Sequence, residues 1–471
     1  MTIHGRNRTA VLALILTGYL LVVLDVSILM AALPSIRREL DFSPTGLSWA
    51  QNAYTLAFGG LLLLGARAGD TFGRRRMFTL GVAGFAAASL AVGLAQSQAW
   101  LIGARALQGV AAAMVAPSTL ALLSVNFAEG DERTRAMAAY GALAGLGTTI
   151  GLILGGAFTS ALSWRFGFFI NVPVGIAAAI AAPRLLDERP RRAGRLDLPA
   201  ALSSTAGVSA FVYGIVRSDT AGWADPITIA SLSAGTLLVA LFVLNQRTAV
   251  QPLMPLRLVL DRARGGAYAA RFLFNAVLVS FYFFLTQYLQ GVRGYGPLEA
   301  GLAFLPVTVV AFAAASATTR LARRVGSPAL AAASLVAMLA GTAWLSTLSV
   351  GTSYVAGVAF PMVLFGIGQG LGLSALTTTA MAGVEAEDAG AAGGLVNVAH
   401  HIGGALGLGV LVTVFAAAGG GAHNMRELLA ERTASAFSGA TVILVLGLVV
   451  TLVARPRGAP QRLREQAAAV V

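Results

Sequence analysis

The chain contains no cysteine and, although it carries 33 basic side chains, no lysine: every one is arginine. Without cysteine there is no disulfide, no thiolate nucleophile and no zinc–thiolate site. Without lysine a P-loop cannot reach the β- and γ-phosphates, and a Schiff-base pump has no amine. Charge is scarce too, at 11% of 471 residues against 57% apolar, with a mean hydropathy of +0.77. A soluble domain carries roughly 25% charged residues. So little polar surface cannot coat the roughly three domains that a soluble chain of this length would form. The solvent is mostly lipid, and the chain reads as an all-α integral membrane protein. Its surplus of Arg, Ala and Gly over Lys also points to a GC-rich bacterial genome.

A bilayer-spanning helix needs about 20 residues. Apolar runs of that order lie near 11–33, 48–66, 77–96, 100–125, 136–161, 166–184, 199–216, 227–245, 265–290, 299–318, 328–347, 354–378, 390–416 and 436–454. Fourteen transmembrane helices are therefore expected, with no room for a soluble domain. The first run is longer than the 7–15 residues of a signal h-region and holds Asp25, so it reads as a retained span. With the N-terminus inside, about 25 Arg fall in inner loops and about 7 in outer ones, the positive-inside bias. The inner set includes Arg67, Arg74–Arg76, Arg133, Arg135, clusters within 184–195 and 247–271, Arg320–Arg324 and the tail. Both termini are thus expected in the cytoplasm of a multi-pass plasma-membrane protein. Orientation accounts for the net charge of +13, and no aromatic-interleaved basic face suggests nucleic acid.

Polar stretches at 185–198 and 246–264 bracket the seventh and eighth helices. The expected organisation is an N-terminal six-helix bundle (1–185), two inserted helices with flanking loops (186–262), a C-terminal six-helix bundle (263–455) and a tail (456–471). Arg67–Gly73 after the second helix has an echo in Arg320–Gly326 after the tenth, the kind of internal repeat found in alternating-access carriers.

Charges in hydrocarbon are costly and mark function by default. Asp25 lies about 21 Å from the inner face and Arg105 about 8 Å from the outer one at the helical rise of 1.5 Å. Both then sit at nearly one depth in a core of about 30 Å. Asp25 reads as a proton-exchanging carboxylate tuned by Arg105, a static ion pair being the plainer alternative. In GARAGDTFGRRR, Asp70 stands at a helix end between Gly69 and Gly73, with Arg74 and Arg75 following. Asp70 is suited to dock on the positive N-terminus of the thirteenth helix. The arginines would then pair with Glu385, Glu387 and Asp388, closing an inner gate. Gly147, Gly151, Gly155 and Gly156, like Gly403, Gly404 and Gly407, allow close helix approach. Candidate walls of a substrate cavity are Tyr54, Gln108, Phe274, Asn275, Tyr282, Gln287, Tyr288, His400 and His401, of which at most one of the adjacent His residues faces the centre. Ser374 and His400 lie at different depths, which argues against a protease dyad.

Together these segments resemble the major facilitator superfamily, in particular its fourteen-helix drug–proton antiporters. LDVSILMAALPSI around Asp25, GARAGDTFGRRR, LIGARALQGVAAA around Arg105, and GTTIGLILGG are similar to that family's helix-one, loop 2–3, helix-four and helix-five motifs. WRFGFFINVPVG, PLMPLRL and NVAHHIGGALG are also family-like. The sequence departs at Ala66 and Thr71 in the loop motif, at Leu152 where the antiporter motif has Pro, and at His400–His401 where an Arg–Gln pair is usual.

The resemblance implies a major facilitator fold of two six-helix bundles plus two inserted helices. It further implies proton-coupled export of hydrophobic small molecules by alternating access, with Asp25 and Arg105 coupling the proton. No extra intramembrane acid stands in the C-terminal half, which favours lipophilic monocations or neutral and zwitterionic antibiotics over dications. The expected partners are such substrates, protons and lipid, for a monomer that is not an enzyme and needs no cofactor or metal. The rival expectation is a proton-coupled carrier dedicated to one metabolite or self-made natural product.

Overall fold

The protein is described by a computed structural model over residues 8–43, 45–127, 131–188, 197–249, 254, 256–384, 389–419 and 422–454. Among these residues there is no strand. The N-terminal part comprises α1 (Arg8–Glu39), α2 (Ser48–Phe72), α3 (Arg74–Gly93), α4 (Gln98–Asn126), α5 (Asp131–Ala161) and the broken pair α6 (Trp164–Phe169) and α7 (Asn171–Leu185). A hairpin follows, α8 (Leu198–Ala221) and α9 (Pro226–Thr248), then the short α10 (Leu256–Leu260). The C-terminal part comprises α11 (Arg262–Gln287) ending in a π-helical turn, α12 (Pro297–Leu302), α13 (Leu305–Val325) and α14 (Ser327–Leu345). It closes with α15 (Phe360–Met381), entered through a second π-turn, α16 (Ala389–Ala417) and α17 (Met425–Val453).

Helix ends follow local chemistry. Ser97 caps α4 by accepting from Trp100 N, and Asp225 caps α9 by accepting from Thr228 N. The last helix starts eleven residues before the expected 436 because Asn424 accepts from Glu427 N while Glu427 accepts from His423 N. That capping box supports helix outside the apolar run, where hydropathy gives no signal.

Among the described residues, twelve helical stretches are long and apolar enough to cross a membrane, against the fourteen expected. The difference lies in α2 and α5. The 25 residues of α2 include Gln51, Asn52, Arg67 and Asp70, and α5 has a described apolar part, Thr149–Ala161, too short to span. In α2 the polarity is turned inward: Gln51, Asn52 and Thr55 are buried against neighbouring helices and shielded from lipid.

Glycine sets how closely the helices approach. A Cβ on Gly151 would come within 2.6 Å of Ser27 Cβ, and one on Gly155 within 2.7 Å of Ile28 Cα, so the α5 stripe lies directly on α1. Gly147 belongs to the same seam, against Val23, whereas Gly156 faces Pro297 O and Leu298 across the two halves. The C-terminal half repeats the device. Gly403 lies on Phe272 and Gly407 on Ala276, joining α16 to α11. The loop echo is structural as well, since Gly73 (φ 103°) and Gly326 (φ 82°) each end one helix and start the next in an extended, positive-φ conformation.

The inserted hairpin does not stand apart. Val212 and Val216 of α8 share an apolar cluster with Leu56 of α2 and Ala405 of α16. A Cβ on Gly60 would meet Thr205, and Thr413 Oγ1 donates to Ile215 O at 3.1 Å. Helix α8 therefore touches both halves.

Overpacking a seam of this kind costs about 1–3 kcal/mol or more. Gly151→Leu should lower the thermal unfolding midpoint in detergent and the yield of monodisperse protein. Gly103→Ala, where no atom lies within 4 Å of the added Cβ, should leave both unchanged.

Candidate functional site

The helical phases of α1 and α4 turn Asp25 and Arg105 toward each other, and both side chains have 0% exposure. Arg105 Nη1 donates to Asp25 Oδ2 and, at 2.6 Å, to Gln108 Oε1. Arg105 Nε donates to Ala50 O of α2 at 2.9 Å, and the guanidinium lies 4.4 Å from the centre of the Tyr54 ring. The other carboxylate oxygen accepts from Gln108 Nε2 at 2.6 Å and from Asn171 Nδ2 at 3.3 Å. Ser89 Oγ accepts from the same two amides, at 2.8 and 3.4 Å. One buried network thus ties α1, α2, α3, α4 and α7 together.

Ser89 and Asn171 were not singled out from the sequence. Serine in a membrane helix is too common to signal a site, and Asn171 stands where α6 breaks into α7. What could have flagged it is the amide itself, since a buried Asn beside apolar residues needs a partner.

Chemically the arrangement is a carboxylate held by two amides and one guanidinium, away from water. The ion pair and the hydrogen bonds favour the charged form of this carboxylate, and burial opposes it. Arg105 Nη2 and the Tyr54 hydroxyl remain buried without partners, so the site holds unspent hydrogen-bonding capacity beside the carboxylate.

The loop after α2 is pinned within its own half. Asp70 pairs with Arg74 one turn on, and Gly73 N donates to Gly69 O at 3.1 Å. Arg75 N donates to Glu188 Oε1 at 3.2 Å, and its guanidinium donates to Pro183 O and Leu186 O at the end of α7. Glu188 was not expected here. A side chain on Gly73 would strike it within 2.8 Å. The expected acidic partners Glu385, Glu387 and Asp388 lie outside the described residues.

The residues expected to form one substrate cavity divide among several places. Tyr54 and Gln108 belong to the ionic network. Tyr282 donates to Gln369 Oε1 at 3.1 Å inside the C-terminal half, and Phe274 is buried against Gly372. Tyr288 donates to Ser349 O at 2.8 Å. His401 crosses between halves, its ring 4.2 Å from Phe58 and its Cβ against Gly59. His400 faces α11, where Asn275 Nδ2 donates to its carbonyl. Gln287 lies farther out, on the wall of an open cavity. Arg271, counted by sequence in an inner-loop cluster, sits on α11 at 7% exposure and donates to Leu373 O at 2.7 Å.

Helical bundles in two glycine-seamed halves, with a buried ion pair in one of them, define a polytopic membrane carrier. The Major Facilitator Superfamily profile matches residues 15–408. The chain is 42% identical over 408 residues to the puromycin resistance protein of Streptomyces alboniger, covering 86% of this chain and 81% of that one. It is 41% identical over 454 residues to the cephamycin export protein of Amycolatopsis lactamdurans, covering 95% and 93%. A solved bacterial homologue of the lysosomal transporter Spinster, in an inward-facing and unoccupied conformation, superposes with a TM-score of 0.66 at 17% identity, covering 95% of this chain and 96% of that one. The chain belongs to the Major Facilitator Superfamily: it is a membrane transporter and not an enzyme.

Removing one partner of a buried ion pair costs about 3–5 kcal/mol, because the other charge is left uncompensated. Arg105→Ala should therefore strongly destabilise the protein. Asp25→Asn together with Arg105→Gln should recover much of the loss. Thermal unfolding of Asp25→Asn, Arg105→Gln and the double variant in one detergent measures the coupling, and simple additivity would show that the two side chains act independently.

Proposed function

We propose that the protein is a proton-driven antiporter that exports antibiotic-type small molecules across the plasma membrane by rocking of its two halves. The observation that carries this reading is the solvent-free Asp25–Arg105–Gln108 network. A carboxylate clamped by two helices of one bundle is a group whose proton affinity must change when those helices move. Protonation from outside would release Arg105, and drug release would accompany it. Deprotonation toward the cytoplasm would restore the pair.

In this reading α2 and α5 also cross the bilayer, giving fourteen spans with both termini in the cytoplasm. Residues 1–185 and 263–455 form the two bundles, and 186–262 carry the inserted hairpin. The loop around Asp70 is the inner gate. The transporter works as a monomer, taking only protons and small molecules as partners. A dedicated carrier for one self-made product is a second reading, favoured by relatives named for single compounds, among them puromycin and cephamycin.

Everted vesicles bearing the protein, energised and loaded with a pH-sensitive dye, separate the two readings. Proton efflux on addition of several unrelated antibiotics, abolished in Asp25→Asn, is the result expected of a multidrug antiporter. A response to one compound alone indicates the dedicated carrier. Full transport by folded Asp25→Asn would remove Asp25 from the coupling role.

A further inference from the structure

Between the far ends of α1 and α11 and the start of α17 lies an open cavity of about 790 Å³, within the range of small-molecule sites. Both halves contribute to it. Arg37, Arg38, Asp41 and Phe42 come from the α1 side, and Gln287 and Tyr295 from the C-terminal half. Beneath it, Leu29, Met30 and Leu33 of α1 share one continuous apolar cluster with Phe281, Leu285 and Leu289, which separates the cavity from the interior.

The wall carries uncompensated positive charge. The Arg37 guanidinium is part-buried and makes no hydrogen bond or ion pair with any described residue. Arg432 of α17 lies near enough to repel it. Arg38 donates to Pro34 O at 3.4 Å and Ser35 Oγ at 3.3 Å, neither of which neutralises it. The one acid in the wall, Asp41, is solvent-exposed and pairs with none of these arginines. Gln287 lines the same space at 3% exposure, and both its amide atoms lack a partner.

A buried amide with donor and acceptor both unspent is costly until something supplies its partners. An unpaired guanidinium prefers a planar acid, which it binds bidentately. Deeper in the C-terminal half, Arg271 is a buried cation whose Nε has no partner. No described acid in the C-terminal half lies beside it, and its electrostatic neighbours are His400 and His401.

We propose that the cavity is a binding site for the acid head of an amphipathic molecule, exported solute or anionic lipid, with Arg37 taking the acid and Gln287 a neighbouring polar group. Phe42 and Tyr295 supply apolar contact. The site's place on the exit side rests on the export reading; its ligand class does not. Where the ligand is the exported solute, its acid fits the zwitterionic antibiotics among the expected substrates and not the lipophilic monocations.

The test is equilibrium binding to the purified full chain in phosphatidylcholine nanodiscs, read by fluorescence anisotropy. Carboxyfluorescein is the anionic probe, and a cationic rhodamine ester on the same ring system is its counterpart. The carboxylate should bind more tightly. Arg37→Gln should weaken it by about tenfold or more, the worth of one charge-assisted hydrogen bond, whereas Arg37→Lys, which keeps the charge but not the planar fork, should retain only part of the affinity. Gln287→Leu should weaken it at an unchanged thermal midpoint. Adding phosphatidylglycerol distinguishes the sources: dye displaced by the lipid assigns the site to a headgroup, and dye retained assigns it to a solute. Equal binding of the two dyes, or an Arg37→Gln variant that binds like wild type, overturns the proposal. No gradient or transport is involved, so failure here leaves the export reading untouched, and failure of the vesicle assay leaves this site untouched.

Discussion

A carboxylate and a guanidinium facing each other with no access to solvent are the constraint around which the N-terminal half is arranged. Neither charge is tolerable alone in an apolar interior, where each would cost several kcal/mol. Once paired, they still leave oxygens and N–H groups to satisfy, and the protein meets these with Gln108, Asn171, Ser89 and a backbone carbonyl of α2. Five helices are thereby held to one rotational setting. In the proposed mechanism the same network would be responsive, since moving any of its helices would change the partners left to Asp25.

Between lipid and helix there is little hydrophobic force to drive association, so close packing has to do it. The glycine seams of α5 on α1 and of α16 on α11 are equivalent solutions in the two halves, each placing backbone against backbone. Gly156 departs from this pattern, pointing across the halves toward Pro297 and Leu298. A stripe of small residues thus serves two partners from adjacent positions, one internal to its half and one between halves. The α8–α9 hairpin adds another bridge, because α8 is packed on α2 and α16 together. Motion between the halves has to be compatible with that contact.

The electrostatic character of the two halves differs. In the N-terminal half the buried Arg105 is neutralised by its acid; in the C-terminal half the buried Arg271 is spent on a carbonyl, and at the cavity between the halves Arg37 of α1 lies near Arg432 of α17. This asymmetry could not be read from net charge, since the positive-inside rule absorbs most arginines into topology and hides the few that are not in loops. Arg271 was miscounted for that reason. It lies only a few residues beyond a basic cluster and differs from its neighbours in facing inward.

Much of the architecture was legible in the one-dimensional pattern because lipid imposes a length and a polarity on each span. Each expected apolar run has a helical counterpart, and Asp25 and Arg105 could be assigned a common depth from the helical rise alone. Two helices resisted that logic. The polar face of α2 is hidden among its neighbours, and the start of α17 depends on a capping box outside the apolar run. Depth along a helix follows from residue number, but the direction a side chain faces, and what it meets there, depends on how helices distant in sequence are rotated against one another. Only the tertiary structure therefore joined Ser89, Gln108 and Asn171 to the ion pair, turned Asp70 to Arg74 and Arg75 to Glu188, dispersed the expected cavity residues, and left Arg37 and Gln287 unpartnered on one wall.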